Sequence, residues 1–353
     1  GGVGAGAGGF RENRRRFERY SKRSWIKALG TLPQSWTLHR VFDRCAMNVA
    51  FAALVSVVHL MTKPFAPQIF HISAPIPHIV LGTALGLLLV FRTTAAYDRF
   101  WEGRKLWATI VSHSRLFSAN ALSGFGASNP HAAEQLVAVA AAFPATTMKH
   151  LRGLPANLGD GDVAVAMALG AGFEGAGNQP CVLLGFMAAE TERLCMEAAR
   201  ESYMRDEAEG VPGRSNAVCE LSRAIMVAGQ MKSSVLALME ALGSCERIVD
   251  SPVPTSYSRH TSRFVTMFCF SLPLVMVELV GPWWSVLFMA LISWSLYSIE
   301  EIAHTSENPF TVGKGSIPLE RICDMIAADL KETIAHRSVL RHPTSPPRAP
   351  WEA

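Results

Sequence analysis

The 353-residue chain is 49% hydrophobic and only 18% charged, with a mean hydropathy of +0.20 and a formal charge of +4. That is more apolar surface than a globular core of this length needs, so lipid-facing surface is the simplest reason and a soluble enzyme is disfavoured. The seven cysteines stand singly, with no C-x-x-C and no Cys/His spacing suited to zinc, which argues against a metal module and reads them as reduced packing residues.

The chain begins with a glycine-rich run, Gly1 to Gly9, a low-complexity tail that no strand precedes; the missing initial methionine is expected of a processed precursor. A basic block follows, in which Arg11, Arg14, Arg15, Arg16, Arg19, Lys22, Arg23, Lys27 and Arg40 all precede the first apolar run. Such a block can bind RNA, but no aromatic or glycine-rich RNA-binding signature accompanies it. An anchor on the anionic lipid of a membrane leaflet is the better reading, and no nucleic acid is expected as a partner. A first span runs from about Val41 to Met61, with Asp43 and Arg44 one turn inside its start. Charges there are costly in hydrocarbon and are read as an interfacial ion pair.

Lys63-Pro64 ends that helix, and Ser73 followed by Pro75 and Pro77 signals the next start, because proline is tolerated where the backbone N–H has no partner. The second apolar run, Ile76 to Phe91, leaves lipid at Arg92. From Pro77 to Phe91 it covers only ~22 Å against a ~30 Å bilayer core. Gly82, Thr83, Ala84 and Gly86 favour helix contact over lipid contact. Past Arg92 the pattern turns amphipathic through Tyr97, Phe100, Trp101, Leu106, Trp107, Ile110 and Val111, so one long helix continues into a helical domain. There, Ser128 to Asp162 and Gly170 to Pro180 read as loops around helices, while Cys181 to Met204 and Ser215 to Cys245 have the spacing of amphipathic helices.

A third span follows Arg263 to about Gly281, with a kink expected at Pro273. Pro282-Trp283-Trp284 is a tight connection with interface tryptophans, and a fourth span runs from Ser285 to about Tyr297, with Glu300 and Glu301 at its exit. The organisation is thus a basic segment (1–40), two spans (41–91), a helical extramembrane domain (92–262), two further spans (263–299) and a C-terminal segment on the helical domain (300–353). Nearly all Lys and Arg lie in the terminal and middle segments, which places both termini and the middle domain on the cytosol-equivalent side. No H-E-x-x-H, G-x-S-x-G or Walker loop is present, so no catalytic residue is assigned and no cofactor is expected.

Four segments resemble one family. Phe91-Arg92-Thr-Thr-Ala-Ala-Tyr97-Asp98-Arg99-Phe100-Trp101-Glu102-Gly-Arg104 leaves the second span; Gly243-Ser-Cys245-Glu246-Arg247-Ile248, then Ser251-Pro252-Val-Pro254 and Tyr257, leads into the third. Asn178-Gln-Pro180 stands ahead of a helix, and Glu307-Asn308-Pro309-Phe310 with Ile317-Pro318-Leu319 and Ile322-Cys323 follows the fourth span. In this order they resemble bestrophin-type anion channels, in the bacterial, plant and algal branch that includes the plant thylakoid chloride channel and algal bestrophin-like proteins.

The resemblance implies an all-α membrane protein with four transmembrane helices and a cytosol- or stroma-side helical domain, assembled as a homopentamer around a central pore. It implies passive conduction of chloride, or of bicarbonate or nitrate, in a thylakoid membrane, with a bacterial inner membrane as the alternative. Four spans per chain, two of them short and rich in small residues, cannot enclose a water path alone, so an oligomer is required on physical grounds as well. The neck of the pore is expected at Ile76, Val80 and Ala84, spaced four apart on one face, with Thr83 and Leu87 beside them. The other reading of this stripe is packing on neighbouring spans. An apolar ring passes weakly hydrated anions, and the animal members' phenylalanines are absent between Ile76 and Val90.

Helix starts at Ser73 to Pro77 and Ser251 to Pro254 would favour anions. Arg92 adds positive potential or, alternatively, pairs with a carboxylate. Tyr97, Asp98, Arg99, Glu102, Arg104, Glu246 and Arg247 are read as a structural lattice rather than ion contacts. Animal bestrophins carry an acidic calcium clasp; here Glu300, Glu301 and Glu307 stand without consecutive aspartates, and no metal is assigned. The rival functional reading is a non-conducting structural subunit of a larger membrane complex.

Overall fold

The computed structural model describes residues 30, 35–65, 76–154, 173, 175–209, 215–313 and 315–336. The basic residues from Arg11 to Lys27, the helix-start signal at Ser73 and Pro75, and residues 155–172 lie outside them. The described residues form helices α1 (Trp36–Thr62), α2 (Ile76–Phe125), α3 (Pro130–Leu151), α4 (Gln179–Glu209), α5 (Ser215–Asp250), α6 (Thr255–Leu279), α7 (Pro282–Glu307) and α8 (Leu319–Ala335), and no strand. Five of them are long and apolar enough to cross a membrane: α1, α2, α6 and α7 in the four expected places, and the 217–250 stretch of α5. The chain divides into two compact units, one holding residues up to Leu85 and Arg263–Glu301, the other Gly86–Ser262 and the chain from Ile302 onward.

The first unit is built from α1, the start of α2 and most of α6 and α7. Ser56 donates to the Pro282 carbonyl at 3.0 Å, and Phe51 meets Phe270 at a centroid distance of 5.4 Å. A Cβ added at Gly82 would sit 3.3 Å from the Phe268 ring, so a small residue there lets α2 approach α6 closely. Gly281, at φ +86°, turns the chain between α6 and α7, with Pro282 opening the next helix. Large apolar side chains point away from the bundle, including Phe42, Leu54 and Met61 on α1 and Trp284, Leu287 and Leu291 on α7. Such exposure is unfavourable in water and neutral in lipid. Arg44 is not paired with its neighbour Asp43; it meets Glu300 at 3.3 Å, while Arg40 meets Glu301 at 3.2 Å. Both glutamates are buried, which is tolerable only because each has a cation.

The second unit holds α3, α4, α5, α8 and the greater part of α2. Buried residues on α2 recur every three or four positions, at Trp107, Ile110, Ser114, Phe117, Ala121 and Phe125, and the apolar ones join Leu136, Phe143, Leu183, Met231 and Leu238 in one core. The loops expected from Ser128 to Asp162 are, over 130–151, the helix α3. Asn129 accepts from Ala132 N at 3.1 Å and Pro130 opens the first turn, so the residues that suggested a loop form a cap. The alanines behind them are the strongest helix formers, and Ala132, Ala133, Ala140 and Ala142 are buried. The Asp206 carboxylate accepts from Ala217 N at 2.8 Å near the start of α5, where the helix dipole favours a negative charge.

Candidate functional site

Helix α2 is unbroken for 50 residues, about 75 Å at 1.5 Å per residue. Its apolar window is the least covered of the candidate spans: 22% of it is buried by the rest of the chain, against 33–39% for the others. The faces divide cleanly. Leu85, Leu89, Arg92 and Ala96 turn inward, whereas Ile76 (64% exposed), Val80 (61%), Thr83, Ala84 and Leu87 (57%) turn outward. Among the described residues no other helix covers the expected neck stripe, and the stripe contains no charged group.

Arg92 is 3% exposed and meets Glu307 at 3.5 Å. Glu307 also faces His304 at 3.7 Å. The guanidinium is therefore part of a buried ion pair at the end of α7, the arrangement in which a carboxylate partner offsets the cost of burial.

About two turns further along α2, Arg99 ties two backbone segments together. Its Nε donates to the Glu307 carbonyl at 3.1 Å, Nη1 to the Ser251 carbonyl at 2.9 Å and Nη2 to the Ile248 carbonyl at 2.5 Å. These oxygens lie at the C-terminal ends of α5 and α7, where carbonyls lack intrahelical partners and the dipole favours a cation. A single planar fork thus caps two helices. Glu102, three residues on, meets Arg247 at 2.5 Å. Gly103 lets the Asn308-Pro309-Phe310 turn lie against α2: a Cβ there would be 3.0 Å from Pro309 Cγ and 3.1 Å from the Phe310 ring. The turn is shaped by Asn308, whose Oδ1 accepts from Phe310 N at 3.2 Å.

Glu246 is the second node. It accepts from Asn178 Nδ2 at 2.7 Å and lies 2.8 Å from His150 Nε2. Asn178 meanwhile caps α4 by accepting from Cys181 N at 3.1 Å. Arg152, just past α3, donates to the Phe310 carbonyl at 2.9 Å and to Glu320 at 2.6 Å. That guanidinium holds the Glu320 carboxyl below its ordinary range. Burial pushes the Cys323 thiol up to about 12, as suits a packing residue rather than a reactive one.

Of the expected lattice, Arg99, Glu102, Glu246 and Arg247 are joined into this network, while Tyr97 and Asp98 are exposed and Arg104 is half-buried. His150, Arg152, Gly103 and the identity of the carboxylate that pairs with Arg92, Glu307, are features that residue spacing did not reveal. Gly103 lies inside the segment that carried the resemblance, so its presence there was a usable signal; the acceptors of Arg99 are backbone atoms and leave no trace in side-chain type. Among the described residues no group of three His, Cys, Asp or Glu side chains converges as a metal site, and Glu300, Glu301 and Glu307 each face an arginine.

An unburied apolar stripe on a long helix, anchored by arginine to its own chain, defines a helical membrane protein of the bestrophin-like fold. A point variant of a bacterial bestrophin homologue from Klebsiella pneumoniae shares this fold, with a TM-score of 0.66 at 22% identity over 83% of this chain and 99% of that one. The chain belongs to the bestrophin family: it matches the bacterial/fungal bestrophin proteins over residues 18–332. It is 29% identical to a voltage-dependent anion channel-forming protein of Nostoc sp., over 88% of this chain and 92% of that protein. It is 30% identical to one of Synechocystis sp., over 75% and 80%. The chloroplastic voltage-dependent chloride channel 1 of Arabidopsis thaliana is 26% identical over 86% of this chain and 66% of its own length.

Proposed function

We propose that this protein is an anion channel, not an enzyme, in which identical subunits bring their α2 helices around a common axis. Five subunits is the number the bestrophin resemblance implies. The observation that carries the reading is the outward stripe Ile76, Val80, Thr83, Ala84 and Leu87, which is left exposed among the described residues and which holds no charge. Gathered in a ring, these residues form an apolar neck that a weakly hydrated anion crosses after shedding part of its water, and that closes by dewetting. A cation pore needs rings of carboxylates, and residues 76–91 contain none. The described relatives are named as anion- and chloride-channel proteins, which supports the same reading.

Chloride is the primary substrate in this reading, with bicarbonate and nitrate also passing. Arg92, neutralised by Glu307, holds α2 to the end of α7 and acts on permeation through that position rather than by touching the ion. The charge-rich helix α5, with Lys232 paired to Glu192 and Arg247 to Glu102, is read as extramembrane despite its apolar stretch. Both termini and the helical domain face the cytosol-equivalent side, and the membrane is the thylakoid, in line with a chloroplastic relative. Purified protein in planar bilayers under chloride, nitrate, bicarbonate and potassium gradients tests the reading. The expected reversal potential follows the anion; one that follows potassium, or no current at any voltage, overturns it.

A further inference from the structure

The first unit holds a fully buried carboxamide with nothing bonded to it. Asn48 sits on the inward stripe of α1 with Val41, Cys45, Ala52 and Val55, at 0% exposure, and neither Nδ2 nor Oδ1 has a hydrogen-bond partner among the described residues. Turning the amide over exchanges two unpartnered atoms, so the deficit does not depend on which way it points. An amide with two donor hydrogens and an acceptor oxygen is expensive to leave bare in a hydrocarbon surround.

A second group in the same place lacks its donor by covalent necessity. Pro273 lies inside α6 and has no N–H, so the Cys269 carbonyl, four residues earlier, loses its intrahelical bond. Cys269 and Pro273 are both buried and share one face of the helix, and the freed carbonyl lies on that face. Contacts on either side of Asn48 bring this part of α6 to it. Three residues before Asn48, Cys45 lies beside Cys269; three residues after it, Phe51 meets Phe270 at a centroid distance of 5.4 Å. The neighbouring hydroxyl and thiol groups are committed elsewhere. Cys45 faces the Ser293 hydroxyl of α7, whose hydrogen goes to the Met289 carbonyl at 2.5 Å, and the Cys269 thiol faces Tyr297.

Charge decides what can fill the gap. The ionic groups that act on Cys45 and Cys269 include Arg44 and Glu300, and these meet each other at 3.3 Å, which leaves no net charge to hold an ion. An anion would also be repelled by two bare oxygens. The occupant must be neutral and small, and must both accept from an amide and donate to a carbonyl. We propose that it is an ordered water, buried between α1, α6 and α7 and shared by Asn48 and the Cys269 carbonyl. The water accepts from Asn48 Nδ2 and donates to the carbonyl, so it joins α1 to the one turn of α6 that cannot close on itself. This site is independent of the anion-pore reading and needs no assumption about the neck.

The test is a density map of the assembled full-length protein in lipid, at a resolution that shows ordered waters, together with a thermal double-mutant cycle. A peak should lie about 2.7–3.2 Å from both the Asn48 carboxamide and the Cys269 oxygen. Asn48→Leu, which expels the water and strands the carbonyl, should lower the thermal midpoint. In Pro273→Ala, where residue 273 again donates to the Cys269 carbonyl, the same substitution should cost about half that shift or less. An empty site with Asn48 bonded directly to the carbonyl or to Ser293, a water that touches only one of the two groups, or full additivity of the two substitutions overturns the proposal. Should either variant fail to assemble, the wild-type map decides alone.

Discussion

Arg99 shows how much of this architecture rests on single polar groups. Its guanidinium serves three carbonyls at the ends of two helices, and truncation strands all three. Arg99→Met should lower the stability of the detergent-solubilised protein by about 2–4 kcal/mol, read as a fall in thermal midpoint. Arg99→Lys should recover only part of it, because a point charge cannot fork to three acceptors. Unchanged melting in Arg99→Met would remove the residue from the anchor. The Arg152–Glu320 pair gives a pH signature. Glu320 is held below its ordinary value of 4.5 chiefly by the Arg152 hydrogen bond, so the pair stabilises the fold above the carboxyl range and loses that contribution as pH falls through the folded value. Glu320→Gln should therefore be less stable than wild type at neutral pH, by at most about 1 kcal/mol because the carboxylate is half exposed. The difference should close below about pH 4; a gap that persists in acid would show that charge is not its cause.

At the scale of the element, α2 carries two tasks on two faces. The inward face, from Leu85 and Leu89 to Trp107 and Phe125, packs like any core helix. The outward face at Ile76, Val80, Ala84 and Leu87 is left exposed among the described residues. Placing an aromatic at Val80 or Ala84 separates the tasks: Val80→Phe or Ala84→Phe should cut single-channel conductance severalfold while the oligomer purifies as before. Normal currents in both variants would take these residues out of the neck. Helix α3 teaches the opposite lesson about legibility. Asn129, Pro130 and a run of alanines looked like loop composition, but the asparagine is a cap, the proline occupies the one turn that tolerates it, and alanine is the best helix former. Composition alone does not separate a helix start from a loop; the position of Pro relative to Asn does.

For the whole molecule, the proposed function requires copies of the chain to close a ring, since a single α2 lines nothing. Native mass spectrometry in mild detergent should give one discrete closed oligomer, five-membered in the family's arrangement, and a monomer that still conducts would refute a shared axis. What the amino-acid sequence determined by itself was the part written in side-chain type and period: the apolar runs that became α1, α2, α6 and α7, the continuation of α2 past Arg92, and the ordered segments that placed the chain in its family. Tertiary structure alone decided which charges meet: Arg44 with Glu300 rather than Asp43, Arg92 with Glu307, Glu246 with Asn178 and His150, and Arg99 with bare carbonyls. The reason is physical. Hydrophobic period is a local property that adjacent residues report, whereas a hydrogen-bond partner is chosen by distance in space, and a backbone acceptor has the same chemistry whatever residue bears it.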